Sequence, residues 1–171
     1  MTLVYHGTNV DSGILIARSG AILCPWEINI EMFKRFYLKN PKRTFKQDYP
    51  GENLEQFVLK VASTSYAERE LESRVKSVSV STDLFCAEGY AITCEKSGSE
   101  GIVLGIEVDD NFLNSINPPG NCQVKYISRK LSLDNLKEIH LSPMAEKKHG
   151  KQIRREFYNY NPFYFIFEQA P

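Results

Sequence analysis

Alternating apolar and polar residues predict most of the strands of this chain. Residues 77–81 alternate serine with valine, and residues 122–127 alternate in the same way, which is typical of half-buried strands. The apolar run at 101–108 predicts the strongest strand. A further strand is predicted at 2–5 and ends at His6-Gly7-Thr8. Other strands are predicted at 21–24, 139–141 and 163–167.

A second period, of three to four residues, predicts helices between these strands. Apolar residues at helical spacing lie between Asn9, which can cap a helix, and Gly20, which can end one. Other predicted helices cover 53 to about 75, the stretch from Thr82 or Asp83 to about 95, and 147–157. Residues 26–52 are predicted to form a short helix followed by a long loop, and 132–136 a short turn or helical piece.

The predicted strands outnumber the predicted helices, and few of them alternate in a strand–helix–strand order. This pattern predicts an α+β fold with mostly antiparallel strands and two or three packed helices. We expect one domain over residues 1–171, with a basic, aromatic insertion at about 26–52. Neither a glycine-rich dinucleotide fingerprint nor a phosphate-binding loop motif occurs in the sequence.

Composition narrows the class of protein. Apolar residues make up 42% and charged residues 25% of the 171 residues, as in soluble globular domains. No apolar run is long enough for a membrane span, and no secretory signal is visible, so a cytoplasmic protein without a membrane partner is expected.

The four cysteines are scattered, so we expect reduced thiols and no metal site. The net charge is zero, so only local clusters can attract a polyanion.

Three motifs with chemical potential fall at predicted strand ends. His6 offers two ring nitrogens to ligand hydroxyls, and Gly7 lets the backbone approach a ligand, although a surface histidine before an ordinary turn is the alternative. Ser81 ends a strand that leads into a helix carrying Tyr90, which could line the same cleft or belong to the core. Glu138 opens a late strand, where a carboxylate could stabilise developing positive charge.

Together these motifs resemble the ADP-ribosyltransferase superfamily, and in particular its His-Tyr-Glu branch, which includes the poly(ADP-ribose) polymerases and diphtheria-type toxins. His6-Gly7-Thr8 followed by a helix and Gly20 is also similar to the tRNA 2′-phosphotransferases. The likeness extends from residue 3 to residue 141 and rests on short motifs. The second tyrosine of the branch would fall at 79–81, where no residue is aromatic.

The resemblance implies an NAD-dependent transferase in which NAD is a substrate and no metal takes part. Glu138 would bind the nicotinamide ribose and stabilise the oxocarbenium-like transition state. His6 would be the second catalytic residue and would bind the adenosine ribose, with Gly7 and Thr8 beside it in the cofactor-binding set. Gly7 would hold the nicotinamide carboxamide through its backbone.

The resemblance also places two further residues in the NAD site. Tyr90 would stack on the nicotinamide ring, and Ser81 would line the same pocket. The leaving nicotinamide is already activated by its positive ring, so this chemistry demands neither a metal nor a strong general acid.

Two basic stretches bear on the acceptor of the ADP-ribose. The first carries six basic residues among aromatics: Lys34, Arg35, Lys39, Lys42, Arg43 and Lys46. The second carries five: Lys147, Lys148, Lys151, Arg154 and Arg155. Basic side chains interleaved with aromatic rings suit single-stranded nucleic acid, so RNA or DNA is favoured over a protein acceptor, although solvated surface charge is the alternative.

The resemblance further implies a role as a toxin or defence effector, with an antitoxin or inhibitor protein as an expected partner. Two alternatives stay open. One is transfer of an RNA 2′-phosphate to NAD, which needs two additional arginines, with Arg18, Arg43 and Arg74 as candidates. The other is a nucleic-acid-binding module that has no catalytic activity.

Overall fold

The computed structural model describes residues 1–63, 76–96, 98–111, 124–127 and 130–167. Its strands are β1 (Thr2–Asn9), β2 (Ala21–Ile22), β3 (Val78–Ser81), β4 (Gly101–Val108), β5 (Val124–Ile127), β6 (Leu131–Ser132), β7 (Leu136–Leu141) and β8 (Phe163–Ile166). Its helices are α1 (Val10–Ser19), α2 (Pro25–Lys39), α3 (Phe45–Asp48), α4 (Leu54–Ser63), α5 (Leu84–Lys96) and α6 (Pro143–Glu156). A single 3₁₀ turn at Tyr158–Tyr160 follows α6.

Six strands form one sheet in the order β5-β3-β1-β4-β7-β8, and β2 pairs with β6 in a small second sheet. Every neighbouring pair of the large sheet is antiparallel except β7 and β8. The central strand β4 is buried along nearly its whole length because helices cover both of its faces. The fold is therefore α+β with a mostly antiparallel sheet, as the sequence predicts.

Helices α1 and α6 pack on one face of the large sheet, and α5 packs on the other. The larger core lies beneath α1 and α6 and consists of aliphatic residues at alternate positions of the central strands. On β1 and β4 these include Val4, Leu104 and Ile106. The α5 side has a smaller core, formed by Ala87, Ala91, Val103 and Phe167.

Helix α5 approaches the sheet closely because small residues face each other. A Cβ atom on Gly7 would lie 2.2 Å from the carbonyl oxygen of Ala87, and one on Gly101 would lie 2.6 Å from that of Ala91. Ala87 and Ala91 are one helical turn apart, so they meet the adjacent strands β1 and β4 in succession. The glycine of the His-Gly-Thr motif is thus required for helix packing.

The insertion begins at Pro25 and contains α2, α3 and α4. Its aromatic side chains pack on one another, with ring centroids 5.8 Å apart for Phe33–Phe57, 5.5 Å for Phe45–Phe57 and 4.3 Å for Tyr49–Phe57. Trp26 joins this region to the rest of the molecule, because its ring packs against the larger core and its indole N–H donates to the carbonyl of Glu55 at 3.3 Å. The insertion therefore has an aromatic core of its own.

Most predicted elements are confirmed, and local chemistry explains their bounds. The Asn9 side chain accepts a hydrogen bond from the backbone of Ser12 and caps α1, while Gly20 ends it in the left-handed conformation. Asp83 accepts from the backbone N–H of Phe85 at the start of α5.

Several predicted elements were too short. Strand β7 begins at Leu136 instead of 139, and helix α6 begins at Pro143 instead of 147. Strand β1 continues to Asn9, and the helix of the insertion runs through all of Pro25–Lys39 before a second short helix. The described residues contain six α-helices, of which α1, α5 and α6 pack on the large sheet, in agreement with the two or three packed helices expected. The predicted turn at 118–120 and the end of the helix predicted at 53–75 lie outside the described residues. Among the helices described, none has the length and apolarity needed to cross a membrane.

Candidate functional site

The register of the sheet decides which of the predicted site residues share a face. Tyr5 pairs with Gly105, and Gly105 pairs with Glu138, so these residues form one row across β1, β4 and β7. Directly paired residues point to the same face, and neighbours along a strand point to opposite faces. Because a Cβ on Gly105 would lie 3.2 Å from the Tyr5 ring and 3.1 Å from the Glu138 Cβ, the two side chains close in over Gly105, where a larger residue would be crowded.

Glu138 lies at the border between the part of the sheet that α5 covers and an open part. Its carboxylate accepts a hydrogen bond from Nε2 of His140 at 2.9 Å. The His140 ring is buried, stacks on Phe165 at 5.0 Å and receives the edge of Tyr5 at 6.0 Å. Since residues two apart on a strand share a face, His140 fixes the carboxylate on a rigid element next to Tyr5.

A pocket lies between α5 and the ends of β1 and β3, and we call it the α5 pocket. Its walls include Tyr5, Gly7, Ser79, Ser81, Cys86 and Tyr90. Its volume is about 50 Å³, which corresponds to one or two water molecules at roughly 30 Å³ each. Tyr90 is 55% exposed at its rim, so outward rotation of this ring would enlarge the pocket.

The serine and tyrosine predicted for the NAD site therefore line one pocket. Ser81 pairs with Tyr5 across β3 and β1, and its hydroxyl accepts from the backbone N–H of Asp83 at 3.0 Å. Tyr5 lines this pocket and also flanks Glu138. The structure thus brings Ser81, Tyr90 and Glu138 to the same face of the sheet, with Tyr5 between them.

The structure does not bring His6 to that face. His6 pairs with Leu104, whose side chain belongs to the larger core, so its imidazole points away from Tyr5 and Glu138. Thr8 has the same orientation as His6 and is also buried. His6 and Glu138, which the resemblance assigns to one NAD molecule, therefore lie on opposite faces of the sheet, because successive residues of a strand point to opposite faces.

The His6 side chain instead connects β1 to β3 near the point where these two strands separate. Tyr5–Ser81 is the pair that joins β1 to β3, and beyond it β3 pairs only with β5. Nδ1 of His6 lies 2.8 Å from the carbonyl oxygen of Ser79, which can only accept, so Nδ1 carries the proton. Burial lowers the pKa of His6, although the bond to Ser79 opposes this. The ring is thus neutral, and Nε2 is a buried acceptor with no partner among the described residues.

Burial and nearby carboxylates also affect the groups around Glu138. Burial raises the pKa of Tyr5, and the charges of Glu138 and Glu88 raise it further, so its phenol stays protonated at neutral pH. Burial raises the pKa of Glu88, while His140 acts in the opposite direction and Asp83 adds to the rise. Two carboxylates, a phenol and an imidazole thus influence one another on this face.

Sequence reasoning missed three members of this group. Tyr5 and His140 each lie within two residues of a predicted site residue, and Glu88 lies two residues before Tyr90. The period-two pattern of a strand, applied outward from Glu138, could have identified His140. No local signal identifies Glu88, because its position depends on how α5 packs on the sheet.

The two basic stretches differ in the number of their basic side chains that form ion pairs. In the insertion, Lys34 pairs with Glu31 and Arg43 with Asp48, whereas the remaining four have no ion pair within the described residues: Arg35, Lys39, Lys42 and Lys46. In α6, acidic side chains pair with three of the five: Lys148, Arg154 and Arg155.

The two candidate arginines for 2′-phosphate transfer that the structure describes do not lie in the α5 pocket. Arg18 pairs with Glu156 at the end of α6, on the opposite side of the sheet. Arg43 pairs with Asp48 in the insertion. Arg74 lies outside the described residues. The geometry therefore gives this alternative no support.

The chain was also compared with known proteins. No protein-family model matches it, and no curated protein matches it.

Proposed function

We propose that this protein is an NAD-dependent ADP-ribosyltransferase that acts on a macromolecular acceptor, with nucleic acid favoured over protein. The observation that supports this most directly is the placement of Glu138 on the face that holds the α5 pocket, in the same row of paired residues as Tyr5. A carboxylate beside a pocket with aromatic and hydroxyl walls suits a reaction in which a sugar becomes cationic.

In the proposed reaction, the bond between ribose C1′ and the nicotinamide nitrogen breaks, and its electron pair leaves with neutral nicotinamide. The acceptor's nucleophile then bonds to C1′ and loses its proton to solvent. Glu138 stabilises the positive charge that develops on the sugar, and His140 holds its carboxylate in place. The small α5 pocket accepts the nicotinamide ring only after Tyr90 moves outward.

In this proposal His6 has a binding role, which differs from the catalytic role that its motif implies. Its Nε2 is a buried acceptor without a partner in the described structure, and a ligand hydroxyl could satisfy it. Because the ring lies at the separation of β1 and β3, such a ligand would have to enter between these strands. His6 is therefore a binding residue in the proposal and not a catalytic one.

The experiment uses NAD labelled in the adenylate group. We expect the label to pass to RNA, DNA or protein from a total cell extract, with equimolar release of nicotinamide. The Glu138→Ala variant should do neither, while Glu55→Ala, which removes an exposed carboxylate from the insertion, should match the unmodified protein. Binding of NAD without release of nicotinamide would instead favour the module that lacks catalysis.

A further inference from the structure

The insertion contains a second and larger cavity, which we call the insertion pocket. Its volume is about 340 Å³, against about 50 Å³ for the α5 pocket. This is within the usual range of roughly 300–1,000 Å³ for sites that bind small organic groups. The pocket can therefore accept a planar ring without any rearrangement of the protein.

Aromatic side chains form most of the walls of the insertion pocket. Phe33, Phe36, Tyr37 and Tyr49 contribute rings, and Met32 contributes a thioether. Phe36 is 45% exposed, and the ring contacts it makes are with Tyr37 and the Arg43 guanidinium. Arg43 covers one face of the Phe36 ring, and the exposed remainder of the ring is open to a ligand, whereas Phe33 is held in the aromatic cluster with Phe45 and Phe57.

Fixed polar groups lie beside these rings. Asp48 accepts hydrogen bonds from the Tyr37 hydroxyl at 3.0 Å and from Nε of Arg43 at 3.4 Å, and Nη2 of Arg43 lies 3.0 Å from the same carboxylate. Desolvation and this bond to Asp48 raise the pKa of Tyr37, so its hydroxyl stays a donor. Asn29 adds an amide, which can both donate and accept. The pocket thus combines stacking surfaces with hydrogen-bonding groups suited to the edge of a heterocyclic base.

The charge around the pocket favours an anionic ligand. Residues 31–52 carry six basic and three acidic side chains, and each of the three acids is paired with a basic residue. Lys39, Lys42 and Lys46 are exposed and have no ion pair within the described part of the chain. An apolar peptide would gain nothing from these charges, and a duplex would keep its bases stacked inside.

We propose that the insertion pocket binds an unstacked base of a single-stranded nucleic acid, while Lys39, Lys42 and Lys46 contact the flanking phosphates. The proposal extends the proposed function by naming where an acceptor strand would bind. Binding itself does not need the transfer reaction, so each can fail without the other.

The test measures fluorescence anisotropy of fluorescein-labelled 12-nucleotide DNA and RNA strands of mixed sequence, with the full chain and no NAD, between 50 and 300 mM salt. Phe36→Ala should weaken binding about 10-fold at every salt concentration, in line with the roughly 5- to 150-fold that stacking of one base contributes. Because Phe36 is not part of the ring cluster around Phe57, this variant should keep its fold.

A charge variant separates phosphate contacts from stacking. Lys39→Gln, Lys42→Gln and Lys46→Gln together should lower the slope of log affinity against log salt by about 2, since each phosphate contact on a single strand contributes roughly 0.7. The matched control removes three lysines of α6: Lys147→Gln, Lys148→Gln and Lys151→Gln. We expect it to leave the salt slope unchanged.

A strand of the same length with abasic sites in place of its bases provides the last comparison. The unmodified protein should bind this abasic strand as weakly as the Phe36→Ala variant binds the normal strand. The proposal is overturned if Phe36→Ala has no effect, if the α6 control loses as much affinity as the insertion variant, or if the abasic strand binds equally well. Absence of binding to both the DNA and the RNA strand also overturns it.

Discussion

The six-stranded sheet is built on aliphatic side chains, whereas the insertion at 25–63 is built on aromatic rings. In the sheet, residues such as Leu104 and Ile139 are fully buried between α1 and α6 and the strands. In the insertion, Phe33, Phe45 and Phe57 pack edge to face, and a cavity of about 340 Å³ remains beside them. Close-packed aliphatic chains stabilise the sheet, whereas edge-to-face contacts between aromatic rings stabilise the insertion.

This difference corresponds to two kinds of chemistry. The sheet holds Glu138 next to His140 on β7, in one row of paired residues with Tyr5 on β1, so the carboxylate has a fixed position. The insertion has exposed lysine side chains around an open aromatic pocket, and such a surface suits an extended anion. Each of the following predictions tests whether the two regions are separate in chemistry or in stability.

The largest expected effect follows from Glu138→Gln. Nicotinamide release should fall by about 10²- to 10³-fold, because the neutral amide cannot stabilise the cationic sugar to the same extent. NAD affinity and oligonucleotide affinity should stay within about twofold of the unmodified protein. Steady-state kinetics and anisotropy measure the two effects. Retained activity would remove Glu138 from the site, and a parallel loss of oligonucleotide binding would contradict the separation of the regions.

The second prediction concerns Phe57→Ala, which removes a ring that contacts Phe33, Phe45 and Tyr49. Its half-buried position predicts a loss of about 2 kcal/mol in the stability of the insertion, somewhat below the usual cost of a core phenylalanine. Native-state hydrogen exchange should show faster exchange in α2 and α4 with little change in β4.

The control for that prediction is Leu104→Ala, at a fully buried position of β4. A cost of about 3 kcal/mol is expected there, and exchange should become faster throughout the sheet. If Phe57→Ala accelerates exchange in β4 as much as in α2, the insertion and the sheet unfold as one unit, and the comparison fails for stability.

The third prediction concerns His140, which donates to Glu138. His140→Ala should lower kcat for nicotinamide release about 10-fold and leave KM for NAD nearly unchanged, because the carboxylate loses its orientation and not its charge. His140→Gln, which keeps a donor, should recover part of the rate. Equal losses in both variants would indicate a packing role for the ring beside Phe165 and Tyr5.

The smallest effect is expected from the titration of His6. Its pKa in the folded protein is lowered by burial, so the unfolded chain binds a proton first as the pH falls below about 6.5. Keeping His6 neutral therefore does not lower the stability of the folded protein above about pH 6.5. As the pH falls below about 6.5 towards the lower pKa of His6 in the folded protein, the stability decreases. In His6→Gln, which can still donate to Ser79, the decrease of Tm between pH 7 and pH 5 should be shallower. Identical Tm profiles would show that His6 charges as easily in the folded protein.

The sequence determined the strands, the caps and the α+β class, since these depend on neighbouring residues. The alternation at 77–81, the cap at Asn9 and the left-handed Gly20 each result from local sterics and hydrogen bonding. The insertion was harder to predict, because its aromatic residues suggested ligand contacts, whereas several of them, including Phe45 and Phe57, pack on one another.

Only the tertiary structure decided which residues meet. The pairing of β1 with β4 and of β4 with β7 placed Tyr5 and Glu138 in one row and sent His6 to the opposite face. The approach of α5 to β1 required a glycine at position 7, which the motif alone attributes to a ligand. Strand register and helix packing involve residues far apart in the chain, so no local pattern encodes them, and a shift by one residue would exchange the two faces of the sheet.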